Sequence, residues 1–356
     1  MTPAPPLSAA ALRTAVEATL ADFLAEQSAL LSGISEDLVP YTEWLAELVS
    51  GGKRLRPAFC VWGYIGSGGA DLDAILRAAA SLELLQACAL IHDDVMDDSD
   101  VRRGRPAAHR RFADLHREAG WAGDSDRFGH GSAILLGDLC LGWADALLYR
   151  SGFDAAALGR AKPVLDIMRT EVMAGQILDL VEQARGGGSI ERALRVIRYK
   201  SATYTVERPL QLGAALAGAS EADLARLSGY GLPLGEAFQL RDDVLGVFGD
   251  PELTGKPAGD DLREGKRTLL IAQAEQRASD DQIALLEAGI GDRDLTPAAI
   301  DELRAIIVGT GALAEVEFLI GQRTEQALAA LSDLRLAEPA REALVELALA
   351  ATTRSQ

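Results

Sequence analysis

Leu82-Glu83-Leu84-Leu85-Gln86-Ala87-Cys88-Ala89-Leu90-Ile91-His92-Asp93-Asp94-Val95-Met96-Asp97-Asp98 carries an apolar segment straight into four aspartates. Upstream, Leu72, Ile75, Leu76, Ala79, Leu82 and Leu85 recur at helical spacing, which predicts one helix over about 71–98. Residues four apart share a helix face, so Asp93 and Asp97 present their carboxylates together. Like charges at the mouth of a core are costly unless a cation neutralises them. Hard oxygen ligands in this density suit Mg²⁺, which binds a few carboxylates and completes its shell with water and substrate phosphates. A second acidic stretch, Gln239-Leu240-Arg241-Asp242-Asp243, ends another apolar segment. The two stretches together point to a diphosphate gripped through Mg²⁺.

Helical periodicity extends over nearly the whole 356-residue chain. Helices are expected near 8–32, 36–49, 54–66, 109–118, 131–150, 155–184, 189–218 and 221–248, with shorter ones to the C-terminus. Ala, Leu, Glu and Arg abound and favour helix, and alternating β-branched runs are almost absent, so no sheet is expected. Ser67-Gly68-Gly69, Gly186-Gly187-Gly188 and Gly231-Leu232-Pro233 read as turns or helix interruptions. Gly120 to Gly131 and Gly249 to Gly265 read as longer loops, of the kind that often carries function. No composition shift marks a linker. The expectation is one all-α domain over 1–356, with residues 1–7 disordered.

The net charge of -18 argues against general nucleic-acid binding. An anionic substrate must then be held by local basic groups and metal, against the global field. Cys60, Cys88 and Cys140 lie far apart and form no CxxC pair, which fits a reducing cytoplasm. The N-terminus lacks the basic start and apolar core of a signal peptide. The long apolar runs are broken by Asp, Glu or Arg, so no transmembrane segment is expected.

The main basic cluster is Gly51-Gly52-Lys53-Arg54-Leu55-Arg56-Pro57. Glycines ahead of a helix expose backbone N–H groups, and Lys and Arg add charge for an anion. It is not a P-loop, which needs four residues between Gly and Gly-Lys-Ser/Thr. Arg102, Arg103 and Arg105 follow the first acidic stretch; Lys200-Ser201 precedes the second, and Gly255-Lys256-Pro257 and Gly265-Lys266-Arg267 follow it. His92 at a helix end reads as structural, and His109, His116 and His130 lack ligand spacing.

In this order, the Gly-Gly-Lys-Arg cluster, Asp93-Asp94-Val95-Met96-Asp97 with Arg102-Arg103-Gly104, Lys200-Ser201, and Phe238 to Asp243 with Lys256 and Lys266 resemble a trans-isoprenyl diphosphate synthase, or polyprenyl synthetase. The resemblance covers about 40–275. It implies a helical bundle around a deep apolar cavity, forming a homodimer, that joins an allylic diphosphate to isopentenyl diphosphate. By the resemblance, Asp93, Asp97 and Asp242 are metal ligands with Asp94 beside them. Arg102, Lys200, Lys256 and Lys266 hold the allylic diphosphate; Lys53, Arg56, Arg103 and Gln86 bind isopentenyl diphosphate. Ser201, Gln239 and the Lys200 carbonyl face the allylic cation, and Gln176 and Asp179 form a second pair near the metals. The released diphosphate takes the proton. Gly246 stands where many relatives carry a third Asp, and Asp250, Asp260 or Asp261 are candidates to assist through water.

Cys88 and Ala89, five and four residues before Asp93, are small where short-chain relatives carry an aromatic floor. The tail can then extend toward Leu85, Leu82 and Ser81. That implies a product beyond farnesyl (C15), and the overall look is similar to actinobacterial geranylgeranyl (C20) diphosphate synthases. A product of C25 or above, farnesyl diphosphate, or a non-catalytic subunit role are the alternatives. A terpene cyclase would carry an Asn/Ser/Glu triad in place of the second stretch.

Overall fold

Side-chain caps open half of the α-helices. Asp71 accepts from the Ala74 N–H, Asp124 from Asp126 and Arg127, and Asp154 from Ala157; Ser220 forms a reciprocal box with Asp223. Each supplies an acceptor to a first-turn amide that has no partner inside its helix. The computed structural model describes residues 7–250 and 259–353. Its N-terminal helices are α1 (Ala9–Ser32), α2 (Val39–Val49), α3 (Leu55–Gly66), α4 (Leu72–Met96), α5 (Ala108–Glu118), α6 (Ser125–Tyr149) and α7 (Ala155–Arg185). Next come α8 (Ile190–Val196), a π-helical segment (Ile197–Glu207), α9 (Arg208–Ala217) and α10 (Glu221–Phe248). The remainder is α11 (Asp260–Arg263), α12 (Leu269–Glu275), α13 (Asp280–Gly289), α14 (Pro297–Gly309), α15 (Ala312–Asp333) and α16 (Glu338–Thr352). The fold is all-α, as expected from the periodicity.

Helix α4 runs through the middle of the larger core, packed on α1, α3 and α6. Ala78, Ala79, Leu82 and Leu84 are buried on several of its faces. A helix apolar all round belongs inside a bundle. A second apolar cluster joins Leu240, Val244 and Val247 of α10 to Leu270 and Ile271 of α12 and Ile320 of α15. The C-terminal ends of α4 and α10 thus rest on separate cores, and both reach one cavity.

Several boundaries differ from the sequence expectation. The helix expected at 131–150 begins at Ser125, because Asp124 caps two amides ahead of it. The helix expected at 36–49 is a 3₁₀ turn at Glu36–Leu38 followed by α2. The stretch expected as one helix over 189–218 contains the π-helical segment. Gly231-Leu232-Pro233 does not interrupt α10. An interior proline costs about 3 kcal/mol, and tertiary burial of Tyr230 and Leu234, both fully inaccessible, opposes it. One small hairpin also exists. Val101–Arg102 pairs with Arg105–Pro106 around a two-residue turn with Arg103 at φ 54° and Gly104 at φ 74°. Two positive φ values are what a type I′ turn requires.

The expectation about membrane spans also needs correction. Leu72–Met96 and Ser125–Tyr149 are each long and apolar enough to cross a bilayer, with mean hydropathy 1.6 and 1.4. Here they pack against each other in the core. The charges inside α4 are satisfied within the protein: Arg77 donates to the Ser151 carbonyl at 2.8 Å, and Glu83 pairs with Arg54. The expected disorder of residues 1–7 concerns residues that, Leu7 apart, lie outside those described.

Candidate active site

A cavity of about 1020 Å³ opens between α4, α7, the π-helical segment and the end of α10. Its polar rim holds Lys53, Arg56, Asp93, Arg102, Arg103, Lys200, Asp242 and Lys266. Its apolar wall includes Leu85, Cys88, Ala89, Val172, Ile177 and Leu180. Leu82 and Ser81 do not line it and are packed in the core instead, so along α4 the lining stops at Leu85.

The π-helical segment carries Lys200 and Ser201. Two glycines let its neighbours approach. A Cβ on Gly175 of α7 would lie 2.3 Å from the Lys200 nitrogen, and one on Gly235 of α10 would lie 2.5 Å from the Ala202 carbonyl oxygen. No side chain fits at either place. The wider i→i+5 turn is a common device at functional sites. It delivers the Lys200 Nζ to Asp179 Oδ2 at 2.6 Å and to Asp93 Oδ1 at 3.2 Å. Gln176 donates to the same Asp93 oxygen at 2.9 Å.

The aspartates at the end of α4 have three different surroundings. Asp93 lines the cavity, where burial pushes its carboxyl up but Lys200, Lys266 and Arg102 outweigh that and hold it below the usual range. Asp94 is fully buried, does not line the cavity, and clamps Arg102, whose Nε donates to its Oδ1 at 2.8 Å. Asp97 caps the helix; among the described residues neither of its carboxylate oxygens has a hydrogen-bond partner, although both are buried. Burial and the charge on Asp93 raise its carboxyl to about 6. Orphaned buried carboxylate oxygens beside a second carboxylate suit a divalent cation.

At the end of α10, Asp242 and Asp243 line the cavity. Asp243 accepts from Gln239 Nε2 at 2.7 Å. Burial, with Asp261 and Asp242 nearby, pushes its carboxyl well above the usual range despite that bond. Gly246 leaves room for a carboxylate from another segment: a Cβ there would lie 1.8 Å from Asp261 Oδ2. Asp261 is buried and pairs with Lys266 at 3.3 Å. Lys266 also pairs with Glu264 at 2.6 Å. Asp261 is one of three aspartates that the sequence offers in this loop, and its direct fit against Gly246 has no sequence signal.

The basic cluster divides. Lys53 and Arg56 line the cavity, whereas Arg54, at φ 52°, turns inward to Glu83 and the Val49 carbonyl and is 3 % exposed. Arg56 donates to Thr205 Oγ1 at 2.9 Å and stacks 4.4 Å over the Tyr204 ring. Arg103 is held by the Leu48 carbonyl at the end of α2. Gln86 lines the cavity with its buried Oε1 unpartnered among the described residues. His92 also lines it, its Nε2–H donating to the Ile134 carbonyl at 3.0 Å. Tyr204, Thr205 and Arg267 line the cavity without having been singled out from sequence. Lys256 lies outside the described residues.

The polyprenyl synthetase family profile matches residues 40–307. A crystal structure of geranylgeranyl pyrophosphate synthase from Corynebacterium glutamicum, complexed with isoprenyl diphosphate and magnesium, is 43 % identical with a TM-score of 0.94 and covers 98 % of this chain and 100 % of its own. A short chain isoprenyl diphosphate synthase from Methanothermobacter thermautotrophicus is 34 % identical over 74 % of this chain and 77 % of its own. A geranylfarnesyl diphosphate synthase from Aeropyrum pernix is 34 % identical over 82 % and 84 %.

Proposed function

The chain belongs to the polyprenyl synthetase family of trans-prenyltransferases, and from that premise we propose that it condenses isopentenyl diphosphate with an allylic diphosphate, using Mg²⁺, to give geranylgeranyl diphosphate. One observation carries the reading: a single cavity combines a rim of carboxylates and cations with an apolar interior. The Corynebacterium structure, with magnesium and isoprenyl diphosphate, supports the choice of metal and substrate class.

Asp93, Asp97 and Asp242 would hold the metal, and Asp261 stands beside them in the room left at Gly246. Bound Mg²⁺ supplies Lewis-acid stabilisation of the departing diphosphate. Arg102, Lys200 and Lys266 aim further positive charge at that anion, and Lys256 is assigned the same role. Asp94 positions Arg102 by clamping its guanidinium. Such charge, fixed before reaction begins, needs no reorganisation when the carbon–oxygen bond breaks. Lys53, Arg56 and Arg103 bind isopentenyl diphosphate, with Gln86 beside them. Ser201, Gln239 and the Lys200 carbonyl turn dipoles toward the allylic cation. The isopentenyl double bond attacks that cation, and the product regains neutrality at carbon by losing a proton to the released diphosphate.

Small Cys88 and Ala89 support a product longer than C15, and the stop of the lining along α4 at Leu85 supports C20 over longer chains. Exposed Ile134 and Leu135 on α6 and Ile167 on α7 support a homodimer. Three buried free cysteines fit a reducing cytoplasm. The decisive experiment incubates the protein with Mg²⁺, isopentenyl diphosphate and each of dimethylallyl, geranyl and farnesyl diphosphate. The expected end product is C20 from all three primers. No condensation with any primer would overturn the reading.

A further inference from the structure

Asp98, His109 and His130 come together outside the cavity lining. Asp98 follows the first acidic stretch at φ 53°. His109 stands in the first turn of α5 and His130 in the second turn of α6, so the fold supplies the proximity that their spacing in sequence does not. His109 is 1 % exposed, and neither ring nitrogen has a hydrogen-bond partner among the described residues. Its Nε2 stands 3.8 Å from Asp98 Oδ1. The His130 ring lies 5.1 Å from the His109 ring, at an interplanar angle of 27°. One donor atom from each residue lies within 4.8 Å of the other two.

A buried polar ring with no partner is costly, and an apolar side chain of its size would not be. The neighbours are already arranged as ligands. His130 Nδ1–H donates to the Asp126 carbonyl at 2.6 Å, which fixes the tautomer and leaves the Nε2 lone pair available. Asp98 is held by Arg110 at 2.8 Å on Oδ1 and by Arg293 at 2.6 Å on Oδ2. A carboxylate offers about four acceptor positions, so these two bonds leave room for a metal. The two arginines weaken the site's pull on a cation. The two imidazoles select Zn²⁺ or Co²⁺ over hard oxygen-seeking ions such as Mg²⁺.

We propose that Asp98, His109 and His130 form a second metal site, for Zn²⁺ or a cation of like chemistry, distinct from the carboxylate site at the cavity. Three protein ligands leave a fourth position for water. Metal–nitrogen distances of about 2.0–2.1 Å require donors about 3.3 Å apart. His130 is only partly buried, which leaves its ring room to tilt toward the metal while Nδ1–H keeps its carbonyl partner. An occupied site would tie the end of α4 to α5 and α6. Arg293 shares that junction, since it also donates to the Asp97 carbonyl at 3.2 Å.

The test is a Co²⁺ titration of the full-length, chelator-treated protein in excess Mg²⁺, read by ligand-field absorption and calorimetry. One Co²⁺ should bind with the intense bands of a four-coordinate nitrogen-containing site, and Zn²⁺ should displace it. His130→Gln should weaken binding by about tenfold or more and abolish the bands, with Mg²⁺-supported turnover unchanged. His109→Gln, checked for fold by circular dichroism, should do the same. Asp242→Ala should leave the bands intact. Unchanged Co²⁺ binding in His130→Gln, displacement by Mg²⁺, or loss of the bands in Asp242→Ala would overturn the proposal.

Discussion

The ends of α4 and α10 carry the same residue type in opposite electrostatic surroundings. Asp93 sits among Lys200, Lys266 and Arg102, which hold its carboxyl below the usual range. Asp243 sits among Asp242 and Asp261, deeply buried, and its carboxyl is pushed well above that range. Asp93 is therefore charge-compensated by the protein's own cations, while its neighbour Asp97 is not. Asp243, by contrast, is buried among carboxylates that favour its protonated form. An acidic motif in sequence thus fixes which atoms are present but not their protonation state, which depends on cations brought in from other elements.

The largest effect should come from the first end. Asp93→Ala and Asp97→Ala should each lower turnover by ~10²–10³, the scale for loss of one electrostatic stabiliser, with helicity intact by circular dichroism. Near-normal turnover in both would break the assignment of this end to metal.

The second end can be broken sterically without touching the first. Gly246→Ala places a methyl group 1.8 Å from Asp261 Oδ2. It should destabilise the protein by about 1–3 kcal/mol, as overpacking does, and weaken binding of the allylic diphosphate. Asp261→Ala in the same chain should recover much of the stability, because it removes the clash. Additive losses in a double-mutant cycle would mean that the two residues are independent.

The apolar part of the cavity is tested by Cys88→Phe. A rigid ring about one turn below Asp93 should shorten the product toward farnesyl diphosphate while the first condensation survives. An unchanged product distribution would move the floor to another helix.

A smaller effect is expected in pH dependence. The Asp97 carboxyl is raised from 3.8 to about 6, chiefly by burial and then by Asp93. Between those values the folded protein keeps a proton that the unfolded chain has lost, so this group's contribution to stability falls as pH rises through about 4 to 6. Mg²⁺ relieves that cost by binding the ionised form. The Tm gain on adding Mg²⁺ should thus be larger at pH 7.5 than at pH 5. Equal gains would separate Asp97 from the metal.

The fold class was legible because helical apolar spacing and the scarcity of β-branched alternation act over long windows. The aspartates, Lys200 and the Lys53–Arg56 cluster were legible because their chemistry lies in residue type. Orientation was harder to read. Successive helical residues point about 100° apart, which turns Asp94 away from the cavity beside Asp93, and a left-handed backbone turns Arg54 into the core. The π-helical segment was not legible, and the glycines of α7 and α10 that pack against it meet it only in three dimensions. The same holds for Asp261 against Gly246 and for His109 against His130, contacts made between different elements.

The central claim is that the carboxylate ends bind one substrate through Mg²⁺ while the Lys53–Arg56–Arg103 side binds the other through the protein's own cations. The direct measurement is calorimetric binding of an unreactive allylic thiodiphosphate and of isopentenyl diphosphate, each with Mg²⁺ and with EDTA. Chelation should abolish binding of the allylic analogue and largely spare isopentenyl diphosphate. Equal affinity of the allylic analogue in EDTA and in Mg²⁺ would contradict it.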